Sequence, residues 1–427
     1  MRLGILLGIV VVAIALAFGY TKILTSTAPE TAVAVNGATV EPELDKANKT
    51  VESMPDSPIA YLQRAAFYSR KARETADHSF NKLAMNDVEK ALALDPQHFA
   101  GRKLKLGLLG SNHEFDMAEV EAQRLIAEEP RDSFAYGILI DASIAMGKYP
   151  QAIESAQKMV DLRPDSQSYS RIALLRSLHG DHKGAVEMYQ LSIRIADPTD
   201  KEAQAWSLTQ LAGEYFKVGN LSEATKAVDQ ALLILPEYPN ALIAKARYAA
   251  VTGNLASAEA ILSQLNSRIK LSEALILTGD IARRKGDTAT AMSYYDQAEK
   301  VERDQDGDIH RFALLWADNG VRLDEALKIA EDDFVINKDI YASDILAWAM
   351  LKSGRAKEAQ KHINDALRLK TNDARILYHA AVIENSLGNK AAARKHISAA
   401  LKANPNFDVV NSVSARELAN VLGIKVA

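Results

Sequence analysis

The acidic stretch ERDQDGDIHRFA, residues 302–313, has the spacing that comes nearest to a metal site. Glu302, Asp304 and Asp306 fall at positions 1, 3 and 5 of a calcium-binding loop, and a glycine follows at position 6. Position 12 should supply a bidentate carboxylate, but Ala313 stands there, and position 1 is glutamate instead of aspartate. We therefore expect an acidic turn between helices and no metal site.

A second candidate is the stretch HGDH, residues 179–182, which places two imidazoles in one turn with no third ligand nearby in sequence. We expect exposed turn histidines there.

The absence of cysteine excludes disulfides, thiolate metal sites and cysteine nucleophiles. The sequence also lacks a phosphate-binding loop, a nucleophile elbow, a His-Glu-x-x-His motif and a dinucleotide fingerprint. It thus predicts no catalytic residues, no cofactor and no enzymatic activity.

Composition limits the remaining classes of protein. The 427 residues are 48% hydrophobic and 25% charged, too apolar for a disordered chain, so we expect a large folded core. The formal net charge is -4 at pH 7. Such a charge gives no electrostatic reason to bind nucleic acid.

The amino terminus indicates a membrane. After Arg2, residues 3–20 are uncharged and mostly apolar, and as a helix they would span about 27 Å, close to the roughly 30 Å hydrocarbon layer. A cleaved signal peptide is the alternative, with the small residues at 15–17 as its cleavage site. We predict a signal anchor or transmembrane helix over residues 1–24, with the bulk of the chain exported. Residues 25–57 lack a helical period and predict a flexible linker.

From residue 59 onward, the pattern is that of helices of about 12 to 15 residues joined by short turns, without strand alternation. Glycines mark the turns at intervals of 33 or 34 residues, with one interval of 39. A period near 34 is that of a tetratricopeptide array. The turn glycines are Gly147, Gly180, Gly219, Gly253, Gly286, Gly320, Gly354 and Gly388.

Small residues repeat in the same phase. They stand seven positions before a turn glycine and five positions after one, as Ala212 and Ala224 do around Gly219, so that two helices can approach closely. Bulky residues follow four positions later on the same helix face, for example Val228. Prolines such as Pro236 end several second helices.

With these phased residues, the chain resembles the tetratricopeptide repeat (TPR) family over residues 58–405. The resemblance implies an all-α fold, a right-handed superhelical solenoid of about nine to ten helical hairpins. Stacked hairpins bury their apolar faces only against neighbours, so the array needs a closing helix. The stretch NSVSARELANVLGI, residues 411–424, predicts this helix within a capping segment, residues 406–427.

In TPR proteins with known peptide ligands, the first helix of each hairpin lines a concave groove. Carried onto this sequence, the family's groove positions predict a mixed aromatic and cationic lining that suits an extended or helical peptide. Packing between repeats is the alternative role for the aromatic members. The predicted groove residues are Phe134, Trp206, Phe216, Arg247, Asp280, Arg283, Arg284, Arg311, Tyr341, Trp348, Arg375 and Tyr378.

We therefore expect a scaffold tethered by a single span to a bacterial inner membrane, with its TPR array in the periplasm and protein or peptide clients in its groove. The resemblance implies work in the assembly of a cell-envelope, secretion or cytochrome-maturation complex. The alternative is a component of carbohydrate export or cell-wall synthesis that binds glycan, since aromatic and arginine side chains also suit sugars. An enzyme that recruits its substrate through the array is a further alternative, although no residues remain for a catalytic domain.

Overall fold

The computed structural model describes residues 40–305 and 309–424. Within these ranges every regular element is a helix, and no strand occurs. None of the helices in the described part is long and apolar enough to cross a membrane. The predicted membrane anchor, residues 1–24, and the first part of the predicted linker lie outside the described residues.

The described residues form 22 helices. In chain order they are α1 Val40–Ser53, α2 Pro58–Thr75, α3 Ser79–Leu94, α4 Phe99–Ser111, α5 Phe115–Glu128, α6 Ser133–Ala145, α7 Tyr149–Leu162, α8 Ser166–Leu178, α9 His182–Ile195, α10 Lys201–Lys217, α11 Leu221–Ile234, α12 Pro239–Val251, α13 Leu255–Arg268, α14 Ser272–Arg284, α15 Thr288–Asp304, α16 Arg311–Asn319, α17 Leu323–Asp333, α18 Ile340–Lys352, α19 Ala356–Ala366, α20 Ala374–Ser386, α21 Lys390–Ala403 and α22 Asn411–Val421.

Helices α2 to α21 pack as consecutive hairpins, and the hairpin α10–α11 shows why the sequence folds in this way. The side chains of Asp200 and Asn220 accept hydrogen bonds from the amides of Ala203 and Glu223, which caps the amino terminus of each helix. Between the two helices, Gly219 has a φ of +72°, a left-handed conformation that favours glycine.

Alanines lie where the two helices of this hairpin meet. Ala212 and Ala224, which the sequence predicts for this role, are fully buried in one cluster with Leu208, Leu211 and Val228. A methyl group allows the helices to approach closely, and the larger side chains fill the remaining space. The predicted spacing of small and bulky residues therefore matches the packing.

Helix α1 differs from the sequence prediction, because it lies within the segment expected to be a flexible linker. Ala47 and Val51, four residues apart on one face, are buried. Arg64 of α2 donates a hydrogen bond to the Asn48 side-chain oxygen at 3.2 Å. Val40, Leu44, Ala47 and Val51 follow one another at intervals of four, three and four residues, a helical period that the linker prediction overlooked. The packed part of the chain thus begins before the first hairpin.

The superhelix closes on itself, so that the turn of an early hairpin contacts a connection between late hairpins. The Lys338 amide donates to the Ala145 carbonyl at 2.8 Å, and the Ile340 amide donates to the Tyr149 hydroxyl at 3.0 Å. Gly147 lies so close to the Lys338 carbonyl oxygen that a Cβ atom would overlap it. The hairpin α6–α7 is thereby joined to the connection before α18.

Two further turns repeat this arrangement at wider separations. A Cβ atom at Gly180 would stand 3.0 Å from the Lys370 carbonyl oxygen, and one at Gly219 would stand 3.3 Å from the Ala403 carbonyl oxygen. Three successive early turns therefore lie against three successive late connections. We call this set of contacts the seam.

The connections that form the seam are longer than a typical connection of the array. Four residues, 235–238, join α11 to α12, whereas six or seven residues join the later hairpins, at 334–339, 367–373 and 404–410. The additional length allows the late connections to reach the earlier turns.

The connection between α2 and α3, where the sequence carries the additional residues RETADHSF, also crosses the array. The Arg73 Nε atom lies 3.4 Å from Oε2 of Glu202 at the start of α10. Ala76, in the left-handed conformation with φ +56°, packs against a cluster that includes Leu277 and Val409. The additional residues thus fix the first hairpin to the middle of the array.

Helix α22 lies where the sequence predicts a closing helix. Ala415 and Ala419, four residues apart on one face, are fully buried. They belong to one apolar cluster with Ile397 and Ala400 of α21. The apolar face of the last hairpin is therefore covered.

Candidate interior binding site

The inner faces of the hairpins border a cavity of about 780 Å³, within the range of about 300–1,000 Å³ usual for ligand sites. Among the described residues that line it, seven carry carboxylates and four carry guanidinium groups. Six of the twelve predicted groove residues line this cavity, from five different hairpins. They are Arg247, Asp280, Arg283, Arg311, Tyr341 and Arg375.

Arg247 of α12 and Glu273 of α14 form an ion pair inside the cavity. Their nearest nitrogen and oxygen atoms are 2.6 Å apart, and their side chains keep 40% and 45% of their surface exposed, so the pair borders water. Burial opposes the charge on both groups, but their mutual attraction outweighs it. The pKa of Arg247 is accordingly raised and the pKa of Glu273 is lowered, and both groups stay charged at neutral pH.

Four carboxylates, those of Asp280, Asp318, Asp339 and Asp408, line the cavity without an ion-pair partner among the described residues. Asp280 accepts a hydrogen bond from the Tyr295 hydroxyl at 2.8 Å, and Asp318 accepts one from the Trp348 indole at 2.8 Å. Burial, followed by repulsion from Asp408, raises the pKa of Asp280 to about 7. Burial also raises the pKa of Asp318. The charge of the cavity therefore depends on pH near neutrality.

Arg375 and Tyr341 come from the first helices of adjacent hairpins. The Arg375 guanidinium carbon lies 5.7 Å from the centre of the Tyr341 ring. Its Nε atom lies 3.4 Å from the buried carboxylate of Asp344, whose other oxygen is 2.8 Å from Nδ1 of His379. A buried carboxylate thus holds Arg375 at the cavity wall.

Two predicted groove aromatics are buried. Trp348 is 2% exposed and stacks on His379 with ring centres 3.9 Å apart. Tyr378 is 6% exposed, and its ring centre lies 5.7 Å from that of Phe407. The structure gives these two residues the alternative role, packing between repeats, because neither presents a free ring face.

Phe216 and Arg284 contact segment 404–410, which precedes the last helix. The Phe216 ring stacks on Tyr248 at 5.0 Å, and its carbonyl accepts a hydrogen bond from the Asn404 amide group at 2.7 Å. Arg284 donates from Nη1 to the Val409 carbonyl at 2.9 Å. Neither residue lines the cavity, and segment 404–410 of the same chain contacts both of them.

Phe134 and Trp206 do not line the cavity. The Phe134 ring centre lies 5.4 Å from the Lys103 ammonium nitrogen, within the first hairpins of the array. Trp206 is 38% exposed near the start of α10. The structure therefore separates these two aromatics from the six residues that it brings together.

Glu273, Asp318 and Asp408 are among the cavity carboxylates that sequence reasoning missed. Glu273 precedes Asp280 on one face of α14, at the spacing 273, 276, 280 and 283, and this helical period could have revealed it. Asp318 lies at the end of α16, on the inner side of its hairpin. Asp408 belongs to segment 404–410, and no repeat pattern predicts that this segment turns into the interior.

The candidate metal stretches have other roles where they are described. His182, expected to be exposed, is half-buried because its Nδ1 atom lies 2.6 Å from the buried Glu214 carboxylate. Glu302 accepts a hydrogen bond from the Ser272 hydroxyl and lies 3.9 Å from Arg311. Residues 306–308 lie outside the described ranges. Within those ranges, the structure brings no three potential metal ligands together.

Comparison with known proteins agrees with the repeat pattern. Residues 346–406 match the tetratricopeptide repeat family. The chain is 31% identical over 81 residues to the chaperone protein YscY of Yersinia enterocolitica, a match that covers 19% of this chain and 71% of YscY.

Similar solved structures share little sequence identity with the chain. The human IFIT1 dimer with m7Gppp-AAAA is 13% identical with a TM-score of 0.50, and the match covers 77% of each chain. The Cut9–Hcn1 hetero-tetramer of the APC/C is 16% identical with a TM-score of 0.43. That match covers 91% of this chain and 60% of the other, so the chain spans less than two thirds of that protein's length.

The helical hairpins, their turn glycines and the match to the tetratricopeptide repeat family define an all-α repeat protein. The chain belongs to the tetratricopeptide repeat proteins.

Proposed function

We propose that the chain is a membrane-tethered TPR scaffold that binds protein clients and does not catalyse a reaction. The observation that carries the proposal is that five hairpins bring six predicted groove residues around one cavity. Residues that are distant in sequence converge there on a single space, which is the arrangement that a binding site requires.

The chemistry of the cavity suits a polypeptide segment. The guanidinium groups can donate to main-chain carbonyls, and the carboxylates can accept from amides or from basic side chains. Charges of both signs fix the direction and register of such a segment more than they raise its affinity. The similar protein YscY is described as a chaperone, which is in keeping with a client-binding role.

The glycan alternative is supported less well, because sugar binding would use exposed ring faces. Trp348 stacks on His379, Tyr378 is covered by Phe407, and Phe216 stacks on Tyr248. Tyr341 is the one predicted groove aromatic that lines the cavity, and the Arg375 guanidinium lies over its ring.

The client site is tested by removing cavity charge. We expect the double variant Arg247→Gln and Arg311→Gln to lower the amount of client that co-purifies from detergent-solubilised envelopes by about tenfold. Arg268→Gln is the matched control, because Arg268 pairs with Glu237 outside the cavity. Equal client recovery from both variants, each with a wild-type thermal transition, would argue against the cavity as the client site.

The proposed location is the bacterial inner membrane, with a single amino-terminal span and the TPR array in the periplasm. The apolar run of residues 3–20 supports this, and tethering would raise the effective concentration of the array for partners in the same membrane. This suits assembly of an envelope, secretion or cytochrome-maturation complex.

Carbonate extraction should leave the full chain in the membrane pellet and release a variant without residues 2–24. Release of the full chain would contradict the anchor.

A further inference from the structure

Residues 404–410, which we call the strap, connect α21 to α22 and lie against the inner face of the array. The strap contacts residues of α10, α12, α14 and α20, which belong to four different hairpins. A connection that only joined two consecutive helices would not require partners so distant in sequence.

The array contacts the two ends of the strap by hydrogen bonds. At its start, the Asn404 amide group donates to the Phe216 carbonyl of α10 at 2.7 Å. Near its end, Arg284 of α14 donates to the Val409 carbonyl at 2.9 Å. Recognition of a main-chain carbonyl by an arginine is a contact that a bound peptide would make in the same way.

Two side chains of the strap, those of Phe407 and Val409, pack against apolar residues of the array. Val409 is 3% exposed, in one cluster with Ile243 and Leu277. Phe407 packs on Tyr378, with the ring centres 5.7 Å apart. An aromatic side chain and an aliphatic side chain two positions later therefore anchor the strap.

The residue between these anchors faces the cavity. Asp408 lines it together with Arg247 and Asp280. One oxygen of its carboxylate accepts hydrogen bonds from the amides of Val410 and Asn411 at 2.8 and 2.6 Å. The strap is thus an ordered segment with an aromatic, an acidic and an aliphatic residue in succession.

We propose that the strap occupies a peptide-binding surface of the protein, and that the partner of this surface is an extended protein segment with the same succession of residues. The proposal rests on the proposed scaffold function and names the client chemistry for one part of the interior. Phe216, Arg284 and Tyr378, which the sequence places in the groove, are the residues that the strap covers.

Because the strap belongs to the same chain, its local concentration at the peptide-binding surface is high, and a partner segment has to displace it. Linked segments commonly have effective concentrations in the millimolar range, so a free peptide binds measurably only when the strap is weakened. The strap thereby limits binding to partners that are strongly matched or locally concentrated.

The test is a fluorescence-anisotropy titration of the labelled peptide NPNFDVVN, which has the sequence of residues 404–411, into the purified full-length chain in detergent. Val409→Asp places a charge in the apolar cluster and loosens the strap. Val413→Asp is the matched control, because Val413 is 39% exposed on α22, just beyond the strap. A second loosening variant, Phe407→Ala, removes only the ring that packs on Tyr378, and it replaces Val409→Asp if that variant lacks the wild-type circular dichroism spectrum.

We expect the loosened variant to bind the peptide about tenfold more tightly than the wild type and Val413→Asp. Adding Arg284→Ala to the loosened variant should remove this gain, because the Val409 carbonyl of the peptide then has no donor. Absence of binding to a folded loosened variant, or equal affinity with and without Arg284, would overturn the proposal. If charge removal in the cavity still reduces client recovery, the scaffold function stands and only the strap inference fails.

Discussion

Substitution of the turn glycines by alanine gives a graded test of the seam. Gly147, Gly180, Gly219 and Gly354 all have φ between +66° and +89°, so an alanine at any of them costs about 1–2 kcal/mol for the left-handed conformation. Their surroundings differ. A Cβ atom at Gly147 would overlap the Lys338 carbonyl oxygen, whereas one at Gly180 would stand 3.0 Å and one at Gly219 would stand 3.3 Å from a carbonyl oxygen. A Cβ atom at Gly354 would meet no atom within 4 Å.

Only the backbone overlap at Gly147 adds a full overpacking cost, of about 1–3 kcal/mol. We therefore expect Gly147→Ala to lower the free energy of unfolding by about 2–5 kcal/mol and Gly354→Ala by about 1–2 kcal/mol, with Gly180→Ala and Gly219→Ala between them. The first measurement is denaturant unfolding followed by circular dichroism.

Hydrogen exchange gives a local measurement of the same contact. The Lys338 amide, bonded to the Ala145 carbonyl across the seam, should exchange faster in Gly147→Ala and at the wild-type rate in Gly354→Ala. Equal losses of stability in Gly147→Ala and Gly354→Ala, with unchanged exchange at Lys338, would refute the closed superhelix.

Three further predictions concern single side chains. Asp280→Asn should reduce the pH dependence of stability between about pH 4 and pH 7. Burial raises the pKa of the wild-type carboxyl to about 7, so the folded chain binds this proton more tightly than the unfolded chain and loses the resulting stabilisation as the pH rises through that window. Identical profiles of melting temperature against pH for the variant and the wild type would contradict this. Tyr149→Phe should cost about 1–3 kcal/mol, since the Ile340 amide loses its acceptor, and an unchanged unfolding midpoint would exclude that hydrogen bond. Ala224→Leu should cost about 1–3 kcal/mol by overpacking a fully buried contact, and a wild-type denaturant midpoint would contradict the assigned spacing of the repeats.

The repeats were predictable because their residues act locally. A glycine with positive φ, such as Gly219, and a small residue where two helices touch, such as Ala212 or Ala224, are required in each hairpin whatever its neighbours are. A pattern that recurs every 34 residues or so is therefore visible in the sequence. Helix α1 was also visible in the sequence, since Val40, Leu44, Ala47 and Val51 follow a helical period, but the proline and glycine residues around them favoured a linker.

The candidate site was predictable only in part, since it depends on contacts between distant hairpins. Helical spacing places Arg247, Arg311 and Arg375 on first helices, and the structure brings them to one cavity. The strap and the seam follow from the curvature of the whole array, which no single repeat encodes. Tyr378 and Trp348 were consequently assigned to an open groove, whereas the strap residue Phe407 and the core residue His379 cover them.

The central claim, that the interior cavity binds a protein client, is tested most directly by site-specific photocrosslinking in native membranes. The reactive group is placed at Arg311, which lines the cavity, and in a control at Lys226, whose side chain is 65% exposed on α11 and does not line the cavity. The account predicts that a discrete protein is captured from position 311 and not from position 226. Equal capture from both positions, or capture of no protein from position 311, would contradict it.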